Sequence, residues 1–288
     1  MLCFWLLLAA VGQAEPVHRD WSGVTSFVYQ LQDLDFSRVR ECDPDLVIMD
    51  YSADGSSQQR YSPEQLESLR ERAGGKRRLL LAYLCLGEAE EYRFYWKGKR
   101  QARREGWLGR SNRDWPEHHR ARFWLPTWQT HMDRYLDQIL EAGFDGVYLD
   151  RVDVYREVDL NPGLARERML AFVQRLAERA RSKEGKDFGV FVQNAEELLE
   201  DPSYLSLLTG VGRESVYYEA RPDRSGLPHK YSAEVEQTLD RAVAAGKLVL
   251  SVDYPRNSRQ AAQARSRARA RGYLHFAALR ELDCLPVW

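Results

Sequence analysis

From Trp21 onward, short apolar runs rich in β-branched and aromatic residues alternate with longer segments whose apolar positions recur every three or four residues. The short runs predict strands at Ser26–Gln30, Leu46–Asp50, Leu79–Leu84, Gly146–Asp150, Gly189–Gln193, Ser215–Tyr218, Leu248–Asp253 and Tyr273–Phe276. Between them, Ser62-Pro63-Glu64 opens a helix that runs to Gly74-Gly75, with a capping side chain ahead of a proline at the first helical position. Further helices are predicted over Trp128–Ala142, Gly163–Ser182, Ser232–Ala245 and Ser258–Arg271, the last two closed by Gly246 and Gly272. Alternation sustained through eight strands predicts an α/β fold, a single (β/α)8 TIM-type barrel, with a doubly wound sheet as the alternative. No repeat or low-complexity linker divides the chain, so residues 15–288 are expected to form one domain. The chain's 288 residues suit this, since such barrels commonly need about 250.

The ends and one insertion break the pattern. Leu2–Val11 is a continuous apolar run followed by Gly12-Gln13-Ala14, too short to span a bilayer and small at the positions a signal peptidase reads. It is expected to be a signal peptide over 1–14, giving a secreted or periplasmic product with no membrane segment. It lacks a basic leading region, which leaves a buried segment as the other reading. Between the third and fourth strands, Ala89–Gln129 is a long loop carrying Tyr92, Tyr95, Trp96, Trp107, Trp115, Phe123, Trp124 and Trp128. Such a segment either lines a sugar groove or packs on itself over one side of the barrel.

Charge and cysteine narrow the function classes. With 42 Lys+Arg against 43 Asp+Glu the net charge is −1, which gives no reason to expect nucleic acid as a partner. The arginines of Arg259–Arg271 alternate around a helix instead of forming a stripe, as on a solvated outer helix. A mature chain would keep Cys42, Cys85 and Cys284, with no CxxC spacing; one bridge, Cys42–Cys284, is permitted and nothing demands it.

The chemistry-bearing pattern is a set of acids where the predicted strands end. Asp50 ends the second strand, Glu88 follows the third, Asp150 and Asp153 follow the fourth, Asn194 and Glu196 follow the fifth, Glu214 lies beside the sixth, and Asp253 ends the seventh. A barrel brings all such ends to one face, where this fold places its active sites. Crowded carboxylates separate in pKa, which lets one donate a proton while its neighbour stays anionic, as glycosidic cleavage requires. Each acid taken alone could equally cap the next helix. No nucleophile elbow, P-loop, HExxH or dinucleotide-binding motif is present. None of the six histidines falls at a strand end beside two acids, so neither a metal nor a cofactor is expected.

Six blocks, FVYQLQ near the start, LCLGEAEEYRFYW, GFDGVYLDRVD, VQNAEEL, GVGRESVYYE and LSVDYP, come in an order that resembles the endo-α-1,4-polygalactosaminidase-like hydrolases of glycoside hydrolase family 114 and their archaeal and bacterial relatives. The resemblance spans about Trp21 to Phe276. It implies a barrel that is secreted and cleaves a galactosamine-rich α-1,4-linked exopolysaccharide, acting within the chain as a monomer, with that polysaccharide as its partner. It also implies catalytic carboxylates at Asp150 and Glu214, and a substrate groove lined by Tyr29, Asp50, Glu88, Tyr92, Asp153, Asn194, Asp253 and Tyr254. Two features depart from the polygalactosaminidases: a Lys-Asn-Ala motif after the fifth strand is here Gln193-Asn194-Ala195, and the sixth-strand block ESVYYE is closer to the other relatives. A non-catalytic glycan-binding barrel and a metal-dependent hydrolase of another polymer are the alternatives.

Overall fold

The computed structural model describes residues 19–72, 75–221 and 223–286; the expected leader, with Cys3 and His18, lies outside them. Eight parallel strands stand side by side in chain order: β1 (Phe27–Tyr29), β2 (Leu46–Met49), β3 (Leu79–Cys85), β7 (Gly146–Asp150), β8 (Gly189–Gln193), β9 (Gly210–Glu214), β10 (Leu248–Asp253) and β11 (Leu274–Ala277). The first and last strands face one another across the seam, where Phe27 and Phe276 meet with ring centroids 5.9 Å apart. Just beyond, the Leu31 N–H donates to the Leu282 carbonyl at 2.9 Å. The barrel is thus nearly closed, with α1 (Phe36–Cys42), α2 (Pro63–Arg70), α4 (Pro126–Ala142), α5 (Pro162–Glu184), α6 (Pro202–Leu207), α7 (Ser232–Ala244) and α8 (Ser258–Ala270) packed around it.

Strand parity sorts the core into two layers. Phe27, Tyr29, Leu46, Ile48, Leu81, Tyr83, Tyr148, Phe191, Leu250 and Val252 fill the interior, while Val28, Val47, Met49, Leu80, Ala82, Val147, Val190, Val211 and Val249 meet the helices. At the barrel's lower end Trp21 packs on Phe191 and donates its Nε1–H to the Asp187 carbonyl at 2.7 Å.

The sixth strand differs from expectation. It is Gly210–Glu214, and Ser215–Tyr218 lies beyond it, beginning with Ser215 at φ 55°. The segment GVGRE has little intrinsic strand preference because glycine is depleted in strands. Here the glycines answer a packing demand: a Cβ on Gly210 would overlap the Phe191 ring, and one on Gly212 would overlap the Tyr148 hydroxyl. The shift makes Glu214 the last residue of the strand instead of a neighbour to its start.

The long aromatic segment carries structure of its own. β4 (Glu88–Glu90), β6 (His118–Ala121) and β5 (Leu108–Ser111) form an antiparallel flap, with α3 (Lys99–Glu105) between β4 and β5. Tyr95, Trp107, Phe123 and Trp128 are buried beneath it, with Trp107 and Trp128 centroids 5.1 Å apart. Most of its rings therefore serve as a second small core, and only Tyr92 and Trp115 are exposed. On α8, Ala261, Ala264 and Ala268 face inward while Arg267 and Arg271 pair with Glu236 of α7. Cys42 and Cys284 are free thiols.

Candidate active site

Three strand-end residues converge inside the barrel mouth. Asp150 ends β7, Gln193 ends β8 and Glu214 ends β9, all on the interior parity set by Tyr148, Phe191 and Gly212. The Gln193 side-chain amide joins the two acids: its Nε2 donates to Asp150 Oδ1 at 2.9 Å and to Glu214 Oε2 at 2.7 Å. The Tyr29 hydroxyl donates to the amide oxygen at 3.2 Å and fixes which way the amide points. One nitrogen donates to both acids, so the two accepting carboxylate oxygens can lie no farther apart than the two bonds end to end, about 5.6 Å.

Each acid is held by further donors. Asp150 Oδ2 accepts from the Tyr83 hydroxyl at 2.7 Å, and Oδ1 also accepts from the Arg151 N–H at 2.6 Å. Glu214 Oε1 accepts from the Tyr254 hydroxyl, and the Glu214 N–H donates to Asn194 Oδ1 at 3.2 Å. Immediately after each of the three central residues the backbone turns left-handed: Arg151 at φ 55°, Asn194 at φ 60° and Ser215 at φ 55°. Non-glycine residues in such conformations cost of order 1–3 kcal/mol each and persist where surrounding structure enforces them, as at functional sites.

Electrostatics favour proton sharing. Burial, and then the neighbouring Glu214, push the Asp150 carboxyl up to about 7. Burial raises Glu214 as well, against the opposing hydrogen bond from Tyr254. Among the described residues no lysine, arginine or histidine side chain forms an ion pair with either acid; the side chains of Arg151 and Arg213 act on Asp150 and Glu214 only through space, and burial outweighs them.

The other expected groove residues fall into distinct places. Tyr29, Asn194 and Tyr254 contact the pair's network as described above. Asp153 and Glu88 lie one contact further out, both held by Arg151 at 3.2 and 3.0 Å. Glu88 also accepts from Asn112 at 3.1 Å. Asp50 is committed to a buried ion pair with Arg93 at 2.7 Å, which Glu90 shares at 2.7 Å and Tyr92 completes by donating to Glu90 at 2.5 Å. Asp253 is not brought to the groove. It has the outward parity of Val249 and Ser251, is fully buried, and accepts the Tyr217 and Tyr218 N–H groups at 2.6 and 2.8 Å. Its other oxygen faces His275 at 3.3 Å.

This architecture has known counterparts. The family model for glycoside-hydrolase family GH114 matches residues 10–285. The chain belongs to that family. It is 31% identical over 280 residues to uncharacterized protein MJ1477 of Methanocaldococcus jannaschii, covering 91% of this chain and 78% of the relative. An uncharacterized protein of Thermotoga maritima is 32% identical over 235 residues, covering 80% and 70%. Among solved structures, the glycoside hydrolase domain of PelA from Pseudomonas aeruginosa superposes with a TM-score of 0.72 at 19% identity, covering 92% of this chain and 98% of that one. Aspergillus fumigatus Ega3, in complex with galactosamine, superposes at 0.67 and 19%, covering 94% and 98%. At those identities the likeness is one of fold.

Within this glycosidase, Gln193 and Tyr83 are the two side-chain contacts on the acids absent from the expected site. Gln193 was legible only as a departure from a motif, although the alternation Gly189, Phe191, Gln193 puts it on the interior face. Tyr83 sits in an apolar run that disguises it as core. Among the described residues no three His, Cys, Asp or Glu side chains form a metal-binding group, and no helix is long and apolar enough to cross a membrane.

Proposed function

We propose that the protein is a retaining, endo-acting glycosidase that cleaves α-1,4-linked galactosamine-rich polysaccharide through Asp150 and Glu214. The observation that carries the reading is the shared Gln193 amide. Retaining glycosidases hold their two carboxyl groups about 5–5.5 Å apart, whereas inverting ones leave a wider gap for water. A separation held to at most about 5.6 Å is too short for the inverting gap and supports direct attack.

Asp150 acts as nucleophile in the state where the pair's single proton sits on Glu214, and the three donors trained on Asp150 favour that tautomer. In the first step an Asp150 oxygen bonds to the anomeric carbon while Glu214 gives its proton to the departing glycosidic oxygen. In the second, Glu214 takes a proton from water, whose oxygen displaces Asp150 and restores both acids. The hydroxyl of Tyr254 beside Glu214 steadies it through both transfers.

The galactosamine in the Ega3 complex supports the choice of sugar, as does the Asp150–Glu214 pair, whose negative charge would attract an ammonium group. The apolar run Leu2–Val11 supports export to the periplasm or the medium.

The test is reducing-end release from purified α-1,4-galactosamine polymer, with the first product's anomeric form followed by proton NMR. Wild type is expected to release the α anomer first. Glu214→Gln is expected to lose about 10²–10⁴-fold in rate, and Asp150→Asn at least as much. Initial release of the β anomer would refute retention, and full activity in both variants would refute the assignment.

A further inference from the structure

The face of the flap turned toward the acids carries a row of rings that bond cleavage does not use. In the β4–β6 register Glu88 lies opposite Arg120 and Glu90 opposite His118, so these four share one face, while Ala89 and His119 share the other. Glu88 is tied to Arg151 at 3.0 Å, the residue whose N–H donates to Asp150. The row therefore begins at the rim of the catalytic site. His118 is flanked by Tyr92, with centroids 6.1 Å apart, and by Trp115, 6.0 Å away.

Two properties set these rings apart from the buried aromatics of the same segment. Tyr92 and Trp115 are 40% and 37% exposed, against 1% for Trp107 and 0% for Trp128. Both are also held. The Tyr92 hydroxyl is bound to Glu90, its ring lies over the Arg93 guanidinium at 4.8 Å, and its edge occupies space that any side chain at Gly55 would fill. Trp115 is clamped from the segment that follows β11, where the Arg280 guanidinium stacks 4.5 Å over its ring. An exposed apolar ring already fixed in place loses little conformational freedom when a ligand stacks on it.

We infer that Tyr92, His118 and Trp115 form an outer subsite that stacks on pyranose rings of the substrate chain beyond those held at Asp150 and Glu214, with Arg280 positioning Trp115. This rests on the glycosidase reading above. The occupant is the substrate's own chain because His118 shares the flap face of Glu88, and Glu88 is one ion pair from Arg151, whose N–H donates to Asp150. Such a site acts on long substrates and is silent on short ones.

The test compares wild type, Trp115→Ala, Trp115→Phe and Arg280→Ala on α-1,4-galactosamine polymer and on short oligomers of the same sugar. Trp115→Ala is expected to raise KM on polymer about tenfold, the effect of losing one stacked ring, with kcat on polymer and kcat/KM on short oligomers unchanged. Trp115→Phe should recover most of the loss, and Arg280→Ala should give a smaller rise. The same polymer is used for affinity electrophoresis with Asp150→Asn and with Asp150→Asn/Trp115→Ala. This reads the subsite without turnover, so an inactive wild type would count against the catalytic proposal alone. Unchanged KM together with unchanged mobility in the double variant would overturn the subsite, as would equal losses on short and long substrates.

Discussion

Gln193 offers the sharpest test of the electrostatics, because one position can be made to move the pair's proton in either direction. Its amide donates to both acids at 2.9 and 2.7 Å, and among the described residues no cation forms an ion pair with either. The proposed mechanism requires the coupled pair to keep one proton, whichever acid holds it at rest, so kcat/KM should fall as pH rises through about 7, the value to which burial and Glu214 push Asp150. Gln193→Lys sets an ammonium against both carboxylates. An opposite charge within a few ångströms stabilises the ionised form by about 1–3 units, so the alkaline limb should move down by that amount. Gln193→Met keeps the length and removes both donors. Each hydrogen bond to a charged acceptor is worth about 1.5–3 kcal/mol, or about 1–2 units, so here the limb should move up. The assay is the pH profile of kcat/KM on galactosamine oligomers, with thermal melts to confirm that both variants fold. An alkaline limb that stays near its wild-type position in both variants, or that rises in Gln193→Lys, would refute the reasoning.

Two further outcomes concern the scaffold. Arg93 is buried between Asp50 and Glu90, so Arg93→Met leaves two unpaired buried carboxylates; a loss of about 3–5 kcal/mol is expected in urea unfolding, and a loss below about 1 kcal/mol would show the cluster to be dispensable. Gly212→Ala drives a methyl group into the Tyr148 hydroxyl and ring edge and should cost about 1–3 kcal/mol, of which adding Tyr148→Phe recovers only the hydroxyl's part; no recovery at all would place the strain elsewhere.

The barrel and the strand-end position of Asp150 were legible along the chain because both depend on local signals, whereas Glu214 was named beside a strand placed too late in the chain. A buried parallel strand reads as an uninterrupted apolar run, and Gly146–Asp150 ends on its carboxylate with no ambiguity of register. The sixth strand was not legible, since its glycines are dictated by Phe191 and Tyr148 on neighbouring strands and carry no strand signal of their own. The aromatic segment was half legible: composition announced an ordered structure, but nothing local separates exposed Trp115 from buried Trp107.

What depended on folding was the side of the wall each polar residue faces. Asp150 and Asp253 both end apolar strands, yet parity turns one into the barrel and the other toward the helices, where it accepts two backbone N–H groups. A strand-end acid advertises its presence in sequence and hides its direction, because direction is set by register against neighbours that lie scores of residues away. Local patterning thus settled the fold and nominated the acids. The lateral pairing of β7, β8 and β9 brought Asp150, Gln193 and Glu214 within hydrogen-bonding reach, and with that contact came the spacing and the shared proton on which the proposed chemistry rests.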